Sequence, residues 1–294
     1  AELLRQVTGS RMEPGRIFAE PSARNTAPCI LYSALRLRKK YGDAVLCVLS
    51  SDQSVKDEEA FRRVLSEASD YAGRHDDIVT IGITPTFPST GYGYIKTGSP
   101  ADEPYTIYHV ERFVEKPDRE TASEYLSSGG YLWNSGMFIA RISTILDRFR
   151  QHLPEMVEAL LPLDHLTGEE AESFLREVYP KLERISIDYG VMEKENHIAV
   201  IPGDFGWSDI GAWNTLGNIV PPDCNGNIVR GDHIGLDTKG CVVFSGDKTV
   251  ATIGLSDVVI VNTEDSVLVC SMDSVQDIRK LTDELKKLGR DDLL

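Results

Sequence analysis

The sequence predicts an α/β domain with a mixed, largely parallel sheet, followed by a small all-β unit that ends in a helix. Three observations carry that reading. From Arg16 to about Val220, strand-like and helix-like segments alternate. AVLCVLS (44–50) and DIVTIGI (77–83) are continuous apolar runs, the pattern of strands covered on both faces. Beyond Pro221-Pro222 short β runs follow one another with Gly, Asp and Asn between them. The domains are accordingly expected at 1–222 and 223–294.

In chain order, RIFAE (16–20) reads as a short strand, and Thr26 to Tyr41 as a helix closed by Gly42. AVLCVLS is a buried strand. Asp57 to Gly73 is an amphipathic helix with Phe61, Val64, Leu65 and Ala68 on one face. DIVTIGI follows as a second buried strand, and Pro85 to Pro104 as a long loop. HVERFVEK then alternates apolar residues up to Glu115-Lys116 and is stopped by Pro117. A helix near Arg119 to Leu126 precedes the strand YLWNSGMFIA (131–140). Helices are expected at Ile142 to Leu160, Glu169 to Val178 and Asp188 to Glu195. The tail supplies NIVRG, HIGLD, CVVFS, TVATIG, DVVIVN and SVLVC as strands. A closing helix carries Val275, Ile278, Leu281, Leu285 and Leu288 on one face.

The chain has 46 acidic and 31 basic residues, for a formal net charge of -15. Such a balance gives no overall attraction to nucleic acid or anionic lipid, so neither is an expected partner. Five dispersed cysteines with no CxxC pair argue against structural zinc and suit a reducing compartment. No apolar run approaches the ~20 residues of a membrane span, which makes the cytoplasm the default location.

Several residues could carry chemistry. Asp52 follows a buried strand, and Asp209 lies in FGWSDIGAW between glycines. Two carboxylates at strand ends can share Mg²⁺, an oxygen-seeking cation that also grips phosphates. Taken alone, each reads better as a cap: Asp52 before the Asp57 helix, and Asp209 at the AWNTL turn. PSARNTAP (21–28) leads into a helix whose first amides suit an anion or a base edge. The glycines of TGYGYI (90–95) let backbone approach a ligand or form a bulge. Lys116 suits a phosphate or a salt bridge to Glu115. Asn134-Ser135-Gly136 interrupts an apolar strand, where it is either turn chemistry or a ligand contact.

The set in its order resembles a known family. RNTAP, LSSD, TGYGYI, FVEKP, WNSGMF, SIDYGVMEK and FGWSDIG follow the signature series of the sugar nucleotidyltransferases. The likeness is closest to the bacterial mannose-1-phosphate guanylyltransferases and covers roughly the whole chain. It implies a Rossmann-like, GT-A-like catalytic domain and a left-handed β-helix-like tail. The implied reaction is GTP plus α-D-mannose 1-phosphate giving GDP-mannose and pyrophosphate, with Mg²⁺ as cofactor. By the resemblance, Arg24, Asn25, Thr26, Ala27 and Pro28 hold the guanosine. Asp52 and Asp209 bind the metal. Lys116 meets phosphate, Gly91, Glu115 and Asn134 meet the sugar, and Asp188 lies in a substrate-binding motif near the sugar-phosphate site. The family's frequent dimerisation suggests a homodimer, though no segment marks an interface.

The chain departs from the family pattern at two places. The opening GGxGxRLxP loop is absent, which leaves a phosphate-binding segment unaccounted for, and LSSDQ stands where LPSDH is usual. A sugar-nucleotide-binding homologue without turnover, or a transferase for another hexose 1-phosphate, is therefore a rival reading.

Overall fold

A computed structural model describes residues 16–102, 106–209 and 220–293. The chain divides into two compact units, one of residues 1–50 and 57–205, the other of residues 51–56 and 206–294. The second unit thus takes in segments on both sides of the first.

The first unit opens irregularly. RIFAE is not a strand: side chains tie it down, with Phe18 edge-on to Tyr32 and Glu20 accepting from the Tyr179 hydroxyl. Helix α1 (Thr26–Tyr41) buries Ala27, Ile30, Leu31, Ala34 and Leu35 and ends at Gly42, which has φ 71. Strand β1 (Val45–Val48) follows, then β2 (Gln53–Ser54) of the second unit. Helix α2 (Glu58–Ala72) is capped by Asp57, whose side chain accepts from Ala60 N–H at 2.9 Å. Capping therefore does not explain Asp52. Next come β3 (Ile78–Ile83), β4 (Tyr94–Asp102), β5 (Ile107–Val114), α3 (Arg119–Ser128) and β6 (Tyr131–Arg141). Strand β4 occupies part of the expected loop. Its sequence, YIKTGSPAD, carries Gly, Ser and Pro that hid it, and its register against β5 shifts three times.

The helix expected at Ile142 to Leu160 is two, α4 (Ile142–His152) and α5 (Pro154–Leu160). Pro154 has no N–H to continue the first and serves as the first residue of the second. Helix α6 (Gly168–Val178) and the short α7 (Ile187–Gly190) precede β7 (Ile198–Gly203) and β8 (Ser208–Asp209). A 3-10 turn at Met192–Lys194 completes the segment expected as one helix.

The main sheet has the order β1-β6-β3-β7-β5-β4, with β4 also pairing β6. It is mixed, but its weighting differs from expectation. Among the described residues β3–β7 is parallel, whereas β6 runs antiparallel to β1, β3 and β4, and β5 antiparallel to β4 and β7. Apolar runs report burial on both faces, not strand direction, so the sequence pattern could not separate the two cases. Helices α1, α4, α5 and α6 join the sheet in one core that includes Ile78, Phe138, Phe149 and Tyr179.

All six β runs of the tail form strands: β9 (Ile228–Arg230), β10 (His233–Leu236), β11 (Val242–Phe244), β12 (Val250–Ile253), β13 (Val258–Asn262) and β14 (Val267–Ser271). Strands β9, β11 and β13 stack in parallel with Ile228, Val242 and Val259 in register, and β10 pairs parallel with β12. Strand β14 returns antiparallel to β13. At the corners, Asn227 accepts from Cys241 N–H and donates to Thr238 O, and Asn262 donates to Ser245 O. Helix α8 (Ile278–Lys287) closes this unit through Ile278, with Val275 before it, while Leu281 and Leu288 are exposed. Cys241 is buried, whereas Cys29, Cys47 and Cys270 are half-buried. Residues 1–15 and the AWNTL turn lie outside the described residues.

Candidate active site

Strand β6 does not make a turn at Asn134-Ser135-Gly136; it bulges. Thr80 pairs with Phe138 and Gly82 with Asn134, so β6 advances four residues (134 to 138) while β3 advances two (80 to 82). Gly136 takes up the distortion at φ 73. The other edge of β6 is paired by β4 at 131–133 and by β1 at 138–141, and Asn134 N–H donates to Gly93 O at 2.8 Å between them. A bulge at such a gap re-aims a side chain.

Asn134 is that side chain. Its Oδ1 accepts from Thr80 Oγ1 at 3.0 Å and Gly136 N–H at 3.1 Å, which fixes the amide orientation. Its Nδ2 is therefore turned to Asp188, donating to Oδ1 at 2.9 Å. The amide is satisfied by protein, so burial alone does not demand a ligand.

Glu115 and Lys116 leave the end of β5. Lys116 Nζ lies 2.6 Å from Glu115 Oε1, so the salt bridge does form. The Glu115 side chain is 6% exposed and the Lys116 side chain 44%. Gly93 makes this possible: a Cβ there would lie 2.5 Å from Glu115 Oε2 and 3.2 Å from Asn134 Cβ. Burial, and then the charge of Asp188, push the Glu115 carboxyl above its ordinary range, against the pull of Lys116. Burial likewise pushes Asp188 up, partly offset by its own N–H, Lys116 and the Asn134 amide. Burial opposes the Lys116 charge, but Glu115 and Asp188 outweigh it and raise its pKa. Two buried carboxyls with raised pKa values beside one partly exposed cation are the kind of perturbed cluster found at functional sites.

The RNTAP segment packs against the same neighbourhood. Thr26 Oγ1 accepts from Ile187 N–H at 2.9 Å, and Ala27 N–H donates to Ile185 O at 3.2 Å. The helix start is thus bonded to the residues beside Asp188. Ala27 and Pro28 are buried, Asn25 Oδ1 accepts from Thr26 N–H, and Arg24 Nε is buried without a hydrogen-bond partner. Asn25 has φ 70 and ψ -172, a region that is nearly glycine's alone and costs a side-chain residue about 1–3 kcal/mol. Lys116, at φ 48, is another of the four non-glycine residues with positive φ among those described. The remaining two, Asp237 and Asp257, border strands of the second unit.

In the second unit β2 and β8 form a two-stranded ribbon with Gln53 opposite Asp209. Asp52 precedes Gln53 and is one residue out of register with Asp209, so the pairing brings the two segments together without setting the two side chains on one face. Trp207 Nε1 donates to Gln53 Oε1 at 3.0 Å and braces the ribbon. No group of three or more His, Cys, Asp or Glu suited to a metal occurs among the described residues. Carboxylates on these two paired segments are the donor type of a hard cation that completes its shell with water and phosphate oxygens.

Gly91 stands apart from the hydrogen-bonded cluster, its N–H donating to Ser89 Oγ at 3.2 Å. Gly93, the second glycine of the same motif, makes the close approach. Sequence reasoning also passed over Thr80, a polar residue inside an apolar strand, and Glu193, whose Oε1 accepts Glu115 N–H at 2.8 Å.

Comparison with known proteins gives the family. The nucleotidyl transferase family model matches residues 5–224, and the chain belongs to that family. A second model, the MannoseP isomerase/GMP-like β-helix domain, matches residues 231–285. The chain is 40% identical to the xanthan biosynthesis protein XanB of Xanthomonas campestris pv. campestris (strain B100), over 99% of this chain and 61% of that protein. It is 37% identical to the mannose-1-phosphate guanylyltransferase of Escherichia coli (strain K12), over 93% of this chain and 58% of that protein. The chain thus spans about three fifths of the curated relatives it matches. A crystal structure described as a mannose-1-phosphate geranyltransferase from Thermus thermophilus is 38% identical, with a TM-score of 0.80 over 96% of this chain and 81% of that one. No described helix is long and apolar enough to cross a membrane.

Proposed function

We propose that the chain transfers GMP from GTP to α-D-mannose 1-phosphate, releasing pyrophosphate and forming GDP-mannose. The observation that carries this reading is the cluster of Glu115, Lys116, Asn134 and Asp188, gathered from β5, β6 and α7. Relatives named as guanylyltransferases for this sugar phosphate support it.

The chemistry is in-line attack of a sugar-phosphate oxygen on the α-phosphorus of GTP. The bond from that phosphorus to the bridging oxygen breaks, and the electron pair leaves with pyrophosphate. The attacking phosphate is already ionised near neutral pH, so no protein nucleophile or base is needed. The protein's part is alignment and charge compensation. Lys116 meets the sugar phosphate. Asn134, held in one orientation, and the carboxyls of Glu115 and Asp188 orient the sugar hydroxyls, and Gly91 borders this loop. Arg24, Asn25, Thr26, Ala27 and Pro28 hold the guanosine, and the strained backbone at Asn25 favours that assignment. Asp52 and Asp209 would hold Mg²⁺, which when bound neutralises triphosphate charge.

Pyrophosphate release tests the reading, measured with GTP or ATP against mannose or glucose 1-phosphate in Mg²⁺. Release that requires GTP and mannose 1-phosphate supports it. Binding of GDP-mannose without any turnover would instead identify a sugar-nucleotide-binding homologue.

A further inference from the structure

Residues 115–116 form a turn that does not hold itself. The β5 ladder against β4 ends at Val114, so the next N–H, that of Glu115, has no strand partner in it. Lys116 then adopts φ 48, although the residue before a proline favours extended backbone. Pro117 brings no N–H of its own. A strained turn persists only where its surroundings over-determine it.

Glu193 supplies that determination. Its Oε1 accepts the Glu115 N–H at 2.8 Å across 78 residues of sequence. The acceptor is itself anchored. Met192 before it is fully buried. Two residues on, Glu195 takes N–H donors from Asn196 and His197 at 2.8 Å each and lies 2.9 Å from His152 Nε2. The Glu193 side chain forms no ion pair among the described residues, so it acts as a hydrogen-bond acceptor. Asp188, on the same segment, holds Asn134. One short stretch, from Ile187 to Lys194, thereby secures the end of β5 and the bulge of β6.

We infer that Glu193 is a positioning residue: it holds the Glu115-Lys116 turn so that the lysine can meet a sugar phosphate. The inference rests on the role proposed for Lys116, and its test separates the two. Glu193→Ala removes the acceptor, whereas Glu193→Gln keeps an amide oxygen in its place. Hydrogen exchange at the Glu115 N–H, followed by NMR, reads the hold directly and needs no substrate. Exchange should quicken about tenfold or more in Glu193→Ala and stay near wild type in Glu193→Gln. In turnover, Glu193→Ala should raise KM for mannose 1-phosphate about tenfold and leave KM for GTP within about twofold, with Glu193→Gln restoring most of the loss. Unchanged Glu115 exchange in Glu193→Ala overturns the inference. So does a Glu193→Gln variant as impaired as Glu193→Ala, because charge rather than an acceptor would then be required. A wild-type chain with no turnover refutes the proposed reaction only, and the exchange measurement still decides whether Glu193 holds the turn.

Discussion

Asn134 Nδ2 donates to Asp188 Oδ1 at 2.9 Å, joining the bulge of β6 to the short helix α7. Thr80 and Gly136 fix the other end of the amide. The link connects a buried strand, a helix start bonded to Thr26 and the Glu115-Lys116 pair.

Replacing Asp188 by Asn should separate stability from activity. The carboxyl is held above its ordinary pKa, so its ionisation weighs against the folded state. That cost is absent below the unfolded pKa and grows as pH rises through the folded value. Asp188→Asn should therefore be at least as stable as wild type at pH 7, with the difference vanishing near pH 3. Its kcat/KM should fall roughly 10- to 100-fold, as for the loss of a charged hydrogen bond. Thermal melts at both pH values and steady-state kinetics check this.

Gly93→Ala should disturb the cluster without unfolding the domain. The added methyl would lie 2.5 Å from Glu115 Oε2, so the Glu115 side chain must shift away from position 93. KM for mannose 1-phosphate should rise by about tenfold or more, with a stability loss of about 1–3 kcal/mol. Gly91→Ala measured in parallel shows whether the effect belongs to the second glycine.

Glu195 is expected to dominate acid sensitivity. Burial alone would raise its pKa, but the N–H of His197, His152, Arg148 and the N–H of Asn196 together hold it below the usual carboxylate range. A lowered folded pKa gives stability that is present above the unfolded value and lost as pH falls through the folded one. Glu195→Ala, which strands Arg148 beside a vacated buried position, should cost about 3–5 kcal/mol at pH 7. Urea unfolding across pH 2–7 measures both the loss and its pH dependence.

Asp52→Asn and Asp209→Asn should each lower kcat by roughly 100-fold or more and raise the Mg²⁺ concentration needed for half-maximal rate. Asp52 is exposed, so its replacement should leave stability within about 0.5 kcal/mol. A Mg²⁺ titration of turnover, set beside thermal melts, distinguishes a metal ligand from a structural acid.

Much of this was legible in the sequence because its signals are local. Asp57 to Gly73 gives a helix from periodicity, and all six tail strands follow from β-branched runs between turn residues. Strand β4 was missed because glycine and proline at irregular register read as loop. Strand direction escaped because burial does not encode it. Asn134 was visible as a polar group in an apolar run, but the four-against-two bulge that aims it depends on β3, some fifty residues earlier in the chain. Thr80 and Glu193 acquire meaning only through long-range partners, and Gly93 was indistinguishable from Gly91 until a neighbour's carboxylate showed which one must lack a Cβ.

The proposed receiver of the sugar phosphate is Lys116, in its cluster with Glu115, Asn134 and Asp188. Calorimetric titration of mannose 1-phosphate into wild type and Lys116→Ala, with Mg²⁺ and a GTP analogue whose α,β bridge cannot be cleaved, tests it most directly. Affinity should drop about tenfold or more in the variant, the roughly 1.5–3 kcal/mol expected of a charged contact. Equal affinity in the two proteins would contradict the assignment.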